Sequence, residues 1–514
     1  MFARFLSRMI VAMCPGCFIL LTTALAFGQT DPDVVLTGGR VMDPETGMDA
    51  VRDVGIRGPS IVAISQQSLA PRLRPEGTHI DVSGLVVAPG FIDLHAHGQS
   101  DDAFRYRVHD GVTTALELEW GYPRIAEWTS SRRGASRIHY GASVSHGMLR
   151  VLAMPGLDQT QQAMIKQLNQ AVTGSEPLDA FDELPFIEAN RNNHLSEAAT
   201  ERMLLLLEGE LRHGGLGIGM AHQYYPGADR REIFRVFQFA ARKNVPIFVH
   251  VREAGMGGMQ EVIANAAATG APLHIVHVNS MSGSELPEVL QLLADARERG
   301  LDITTETYPY TAASTSIESA FFDDGWQQRL GISYEDLQWQ DTGERLTEET
   351  FKKYRERKGV VIIHMMRDDL IELAVRTPFV MIASDAMPYA TGAHPRSAGT
   401  FARVLGYYVR ERGALDLMTA LRKMTIMPAR RLEGIAPAMK KKGRLQVGSD
   451  ADIVVFDPET IVDTATYVGG LSYSRGIKHV IVSGTSVVAD GKLLEGRYPG
   501  RLVAGSSREV REQN

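Results

Sequence analysis

The chain has 514 residues, 44% of them aliphatic or aromatic and 22% charged, an ordinary globular composition that excludes a fibrous repeat or long disorder. Its net charge of −7, with no basic run, excludes a surface built to hold nucleic-acid phosphates. Only two cysteines occur, Cys14 and Cys17, so disulfides, Cys-ligated zinc, iron–sulfur clusters and a catalytic thiol are excluded from the rest of the chain.

At the N-terminus, Arg4 and Arg8 precede an apolar stretch running from about Met9 to Phe27, with small residues at Ala24, Ala26 and Gly28. This pattern predicts a cleavable signal peptide over 1–28 and an exported, periplasmic protein. Pro15 and Gly16 interrupt the apolar stretch, which argues against a retained anchor. No later segment is apolar enough to span a bilayer, so no stable membrane span is expected after cleavage.

Residues 29–88 alternate apolar runs with turn residues (DVVLTGGRVMD, VRDVGIRGPSIVAIS, HIDVSGLVVAPG). A matching set, GRLQVGSDADIVVFDPE and HVIVSGTSVVADGKLL, lies in 436–514. Both chain ends are therefore expected to form one small composite β-sandwich. Between them, 89–435 alternates β-branched runs with helical stretches such as RREIFRVFQFAARKN and LPEVLQLLADARERG. The strand candidates are IFVHV (247–251), LHIVHV (273–278), DITTETY (302–308), VVIIHMM (360–366) and FVMIASD (379–385). Alternation of this kind predicts an α/β fold, a (β/α)8 TIM-like barrel. Residues 151–200 and 318–358 are polar and weakly periodic, candidates for insertions over the barrel mouth or for surface decoration.

His95 and His97 follow the apolar run GLVVAPGFIDL, and residues two apart on a strand project to one side. His250 ends IFVH, His277 ends LHIVH and Asp385 ends VMIASD. His274 competes with His277 but faces the opposite side, and His277 is nearer the strand end. A charged side chain at the end of an apolar strand is costly unless paired or bound to metal. Imidazoles and a carboxylate at four strand ends therefore predict a metal site at the C-terminal face of the barrel. The run VTTALELEW adds Glu117 and Glu119; Glu119 lies nearer the strand end and is the better candidate to bridge two ions, with Glu117 as the alternative.

The segments PGFIDLHAH, SHGMLR, GGLGIGMAHQYYPG, ETYPYTAAST, SDAMP, HPRSAGTFARVLGYYVRERG, MTIMPARRL and GRLQVGSDADIVVFDP resemble those of the amidohydrolase superfamily. Within it the chain is similar to the D-aminoacylase, or N-acyl-D-amino-acid deacylase, group. The resemblance implies one or two zinc ions and hydrolysis of an N-acyl-D-amino acid, a small-molecule substrate, to a D-amino acid and a carboxylic acid. It implies that His95, His97 and Asp385 hold one metal and His250 and His277 the other. Asp385 would also be the catalytic proton carrier, and Tyr308, Ser314 and Arg396 would hold the substrate α-carboxylate.

Two departures stand out. The family carries a metal-binding Cys in a GVTT-x-x-x-G-N-C-G segment; here GVTTALELEWG puts Trp120 at that position and Glu119 before it. Glu119 is expected to take over as ligand, which requires a shift in the strand. A Lys often found two residues after the second single histidine is Asn279 here. Glu-containing relatives of this length are commonly labelled D-glutamate deacylases, which makes N-acyl-D-glutamate one expected substrate. Arg150 and Arg252 are then the candidates to hold its side-chain carboxylate. Two other readings remain. A hydantoinase or isoaspartyl dipeptidase would need a carboxylated lysine, for which Lys166 and Lys243 are poorly placed. A non-catalytic binding protein of this fold would normally lose ligands that this chain keeps.

Overall fold

The structure, a computed structural model, describes residues 31–155 and 190–506. The expected leader over 1–28, with both cysteines, and Lys166 lie outside the described residues. Among the described residues no helix is long and apolar enough to cross a membrane.

Eight parallel strands form the central sheet. In chain order they are Phe91–Asp93, Val112–Tyr122, His139–Ser145, Ile218–Ala221, Ile247–His250, Leu273–Ile275, Ile303–Thr307 and Val380–Ile382, and each pairs with its neighbour in that order. The first and eighth edges meet through a bridge between Ala96 and Ala386. There the buried Asp93 carboxylate accepts the Ser384 N–H at 3.0 Å and Arg107 Nη1 at 2.9 Å. Parallel strands buried on both faces read as continuous apolar runs, as Ile247–His250 does.

The helices that follow the strands are amphipathic. In Arg230–Lys243 the Asp229 side chain caps the N-terminus by accepting the Glu232 N–H, and Asn244, at φ 51°, ends the helix in the left-handed region. Ile233, Val236, Phe237 and Ala240 are its buried stripe against the barrel. Each large side chain buried this way contributes about 1.5–3 kcal/mol. Inside the barrel, Ile92, Leu94, Leu116, Leu118, Phe248, Val276 and Met381 pack on Ala429 and Leu432 of the helix Ile426–Leu432. The interior is thus filled below the C-terminal face, and the largest cluster of polar side chains gathers above that plug.

The two chain ends build one continuous nine-stranded sheet, in which Val86–Pro89 runs antiparallel to Ile453–Phe456. Asp452 ties it to the barrel. One carboxylate oxygen accepts His139 Nε2–H of the third barrel strand at 3.0 Å, and the other takes Lys442 Nζ at 2.6 Å. Past the sheet, the Val503 N–H donates to the Tyr140 carbonyl at 2.7 Å, strapping the chain back onto the barrel.

VVIIHMM is not a barrel strand. Val360–His364 pairs antiparallel with Ala312–Ser316 and Leu337–Trp339 in a separate three-stranded sheet between the seventh and eighth barrel strands. That sheet has its own aromatic core of Phe321, Phe322, Trp326, Trp339, Phe351 and Tyr354. A five-residue β-branched run buried on both sides looks the same in either sheet, so periodicity alone cannot assign it.

Candidate metal centre

The polar side chains above the barrel plug converge on two adjoining points. At the first, His95 Nε2, His97 Nε2, Glu119 Oε2 and Asp385 Oδ1 meet. His95 to His97, His95 to Glu119 and His97 to Glu119 are each 3.1 Å, and Asp385 is 3.4 Å from His95 and 3.3 Å from His97. Points about 3.2 Å apart at the corners of a tetrahedron have a centre about 2.0 Å from each, which is the Zn–N and Zn–O bond length. At the second, Glu119 Oε1 lies 2.6 Å from His250 Nδ1 and 3.3 Å from His277 Nε2, which are themselves 3.1 Å apart. Three donors on one face leave a fourth direction open, as a catalytic metal site requires. All these donor atoms belong to groups whose members lie within 4.8 Å of one another. One carboxylate, Glu119, serves both points, and it is only 3% exposed.

Local backbone bends aim these groups. The barrel-filling residues of the first two strands are Ile92, Leu94, Leu116 and Leu118. Simple alternation would therefore turn His95, His97, Glu117 and Glu119 away from the interior. The first strand ends at Asp93, and the next residues curl over the mouth. In the second strand, Glu117 faces Ala142 and Tyr122 faces Val144, so five steps run against two: a bulge of three extra residues. Gly121 closes it at φ +65°, and the Leu118 carbonyl accepts Ser143 Oγ–H at 2.8 Å. This is the strand shift that a ligand at Glu119 requires. His277 (φ 31°) and Asp385 (φ 49°) sit in the left-handed region just past their strands, backbone strain of the kind found at functional sites. His274 stays inside the barrel below the site, bonded to Thr304 Oγ1 at 2.8 Å.

The electrostatics favour a cation here. Burial opposes charge on His95, but Asp385 and Glu119 push its pKa up to about 10. His97 is raised well above its usual range, with Glu117 and Asp385 outweighing burial. Glu119 is held well below the usual carboxylate range, because its histidine neighbours outweigh its burial. His250 is lowered, chiefly by burial, which keeps it neutral and able to donate a lone pair.

The remaining ring nitrogens of His95, His97 and His250 are engaged in ways that orient the ligands. His95 Nδ1–H donates to Glu306 Oε1 at 2.9 Å, which also accepts the His277 N–H at 2.7 Å. His97 Nδ1–H donates to Glu117 Oε2 at 2.7 Å, and His250 Nε2–H to Gln223 Oε1 at 2.7 Å. Glu306 and Gln223 had not been singled out in the sequence. An acid inside the strand run DITTETY was the available signal for Glu306; Gln223 gave none.

Beside the first point, Arg396 Nη1 lies 2.9 Å from Asp385 Oδ2, and its guanidinium sits 4.6 Å over the Tyr308 ring. His394 sets this segment, accepting the Arg396 N–H at 3.0 Å while its Nε2–H donates to the Ala312 carbonyl at 3.0 Å. Tyr308 Oη and Ser314 Oγ are buried with no hydrogen-bond partner among the described residues. Asn279 Nδ2 is spent on the Tyr308 carbonyl at 3.2 Å. Arg150 and Arg252 are engaged elsewhere. Arg150 is fully buried on Glu232 (2.6 Å) and the carbonyls of Asn190 and Asn193. Arg252 forks onto Glu261 and the Ala228 carbonyl.

The Amidohydrolase family profile matches residues 86–487. The chain belongs to the amidohydrolase family. Among its relatives, a D-aminoacylase of Alcaligenes xylosoxydans xylosoxydans is 29% identical over 92% of this chain and 97% of its own. An N-acyl-D-glutamate deacylase of the same organism is also 29% identical, over the same shares. A crystal structure of D-aminoacylase superposes with a TM-score of 0.74 at 25% identity, covering 92% of this chain and 99% of that one. A Thermus D-hydantoinase shares the fold alone, with a TM-score of 0.58 at 17% identity over 92% and 99%. In this amidohydrolase the fourth barrel strand ends in Ala221, with no lysine to carboxylate. Lys243 pairs with Glu208 at 2.6 Å at a helix end.

Proposed function

We propose that this amidohydrolase cleaves the amide of N-acyl-D-amino acids, giving a D-amino acid and a carboxylic acid. The observation that carries it is one carboxylate, Glu119, joining two sets of metal donors, beside an unpartnered hydroxyl pair and a buried arginine suited to a carboxylate. The imidazole and carboxylate donors suit zinc, with His95, His97 and Asp385 in one subsite, His250 and His277 in the other, and Glu119 shared. A zinc ion held there acidifies water and polarises an amide carbonyl.

The protein's own groups do the rest. Arg396, with Tyr308 Oη–H and Ser314 Oγ–H, holds the substrate α-carboxylate by two-pronged and neutral hydrogen bonds. That fixes the scissile amide over the donor cluster and removes the entropy of positioning from the reaction. Asp385 accepts a proton from the attacking water and passes it to the nitrogen of the breaking C–N bond. The amine leaves as the D-amino acid, and the acyl carbon keeps the water oxygen as a carboxylic acid. Arg150 and Arg252 are committed to Glu232 and Glu261, so neither supports a second carboxylate on the substrate. Export to the periplasm is part of the proposal, supported by the charge and apolar pattern of 1–28; sequencing the mature N-terminus tests it.

A panel of N-acetyl-D- and L-amino acids, acidic and apolar, with hydantoins and β-aspartyl dipeptides, tests the reaction. Turnover of the D forms is expected to vanish on chelation and return with zinc. Undiminished turnover after verified metal removal, or faster turnover of the hydantoins, overturns the reading.

A further inference from the structure

The second barrel strand carries two glutamates, and the metal donor sets use one. Glu117 belongs to neither set, yet it is buried, only 3% exposed, with both carboxylate oxygens engaged. Its Oε2 accepts His97 Nδ1–H at 2.7 Å. Its Oε1 accepts the Trp120 N–H at 3.1 Å. The first contact fixes a ligand on the first strand; the second folds the three-residue bulge back on itself, and that bulge is where Glu119 is mounted.

We propose that Glu117 is a positioning residue for the subsite of His95, His97 and Asp385, in a place only a carboxylate can fill. The inference rests on reading the site as a metal centre. A ring nitrogen offers a lone pair to a metal only when the proton sits on the other nitrogen. Glu117 holds that proton on His97 Nδ1 and so leaves Nε2 bare. Both of its contacts come from donors, so both of its oxygens must accept.

A glutamine cannot do this. With its oxygen toward the Trp120 N–H, its NH2 faces His97, draws the lone pair to Nδ1 and puts the proton on Nε2, the atom that faces Glu119 and Asp385. With its oxygen toward His97, its NH2 opposes the Trp120 N–H in a buried space, where an unpaired donor is costly. Shape is preserved and hydrogen-bond polarity is not. The other subsite has its own arrangement, with Gln223 Oε1 taking the proton on His250 Nε2, and provides an internal comparison.

The test is Glu117→Gln in the full chain, with zinc affinities of the two subsites measured by competition against a chromophoric chelator and the cadmium form followed by 113Cd NMR. Affinity at the His95, His97 and Asp385 subsite is expected to fall about 10–100-fold, more than at the His250 and His277 subsite. Gln223→Leu is expected to reverse that order. Unchanged affinities in Glu117→Gln, or a loss at the first subsite no larger than at the second, overturn the proposal. Should Glu117→Gln fail to fold, 15N spectra of histidine-labelled, zinc-loaded wild-type protein decide: His97 is expected as the Nδ1–H tautomer, and an Nε2–H tautomer overturns it. A wild-type chain that takes up no zinc removes the metal-centre reading itself, a failure distinct from that of Glu117.

Discussion

Gly121 is the hinge on which Glu119 turns inward, and Gly121→Ala tests it. At φ +65° any residue with a Cβ is strained, by about 1–2 kcal/mol. A Cβ there would also lie 2.5 Å from the Ser143 carbonyl oxygen and 2.5 Å from Ser143 Oγ. The carbonyl is backbone of the neighbouring barrel strand and cannot rotate away, so the overpacking adds about 1–3 kcal/mol. Gly134 provides the comparison: its φ is +75°, but no atom lies within 4 Å of its Cβ position. Gly134→Ala therefore carries only the conformational part. In parallel denaturant unfolding, Gly121→Ala is expected to be less stable than Gly134→Ala by about 1–3 kcal/mol. Zinc content adds a second readout. Because Glu119 is shared, relaxing the bulge weakens both subsites together, whereas Gly134→Ala leaves them alone. A Gly121→Ala protein as stable as Gly134→Ala, with full zinc content, would refute the account of how the bulge presents Glu119.

Two further outcomes follow from other parts of the structure. Arg396→Lys keeps the charge but loses the planar fork beside Asp385 and Tyr308; kcat/KM for N-acyl-D-amino acids is expected to drop about 10–100-fold, mostly through KM, and an unchanged KM would remove Arg396 from carboxylate binding. Asp452 is buried, which opposes its ionisation, yet His139 and Lys442 hold its carboxyl well below the usual range. A depressed folded-state pKa means the stabilisation is present above the unfolded pKa of about 3.9 and is lost as pH falls below it. Asp452→Asn, which removes the more buried of the two carboxylates on Lys442 and leaves it Asp450 at 3.0 Å, is expected to cost about 1–3 kcal/mol at neutral pH and to flatten the acid side of the stability profile; an unaltered acid limb would count against this pairing.

The residue types at the strand ends were legible in the sequence because chemistry restricts them. Apolar runs that stop at His250, His277 or Asp385 place a polar group where only a partner or a cation makes it tolerable. The alternation of β-branched runs with amphipathic helices likewise determined the barrel, since parallel strands require covered faces and crossover helices. Where the same β-branched pattern served another sheet, as in Val360–His364, the sequence carried no distinguishing signal, because the hydrogen-bond partner lies far along the chain.

Direction was decided only by the tertiary structure. Of the predicted donors, only His250 and Asp385 share the phase of their strands' barrel-filling residues, Phe248 and Met381. His95, His97 and Glu119 reach the centre because their strands end or bulge, and His277, one residue past the barrel-filling Val276, because its backbone takes a left-handed conformation. Those bends are stabilised by contacts between distant segments: Glu117 with His97, Ser143 with Leu118, Glu306 with both His95 and His277. A two-residue period reports which side a regular strand shows. It carries no information about where the strand stops being regular, and in this protein the chemistry is concentrated there.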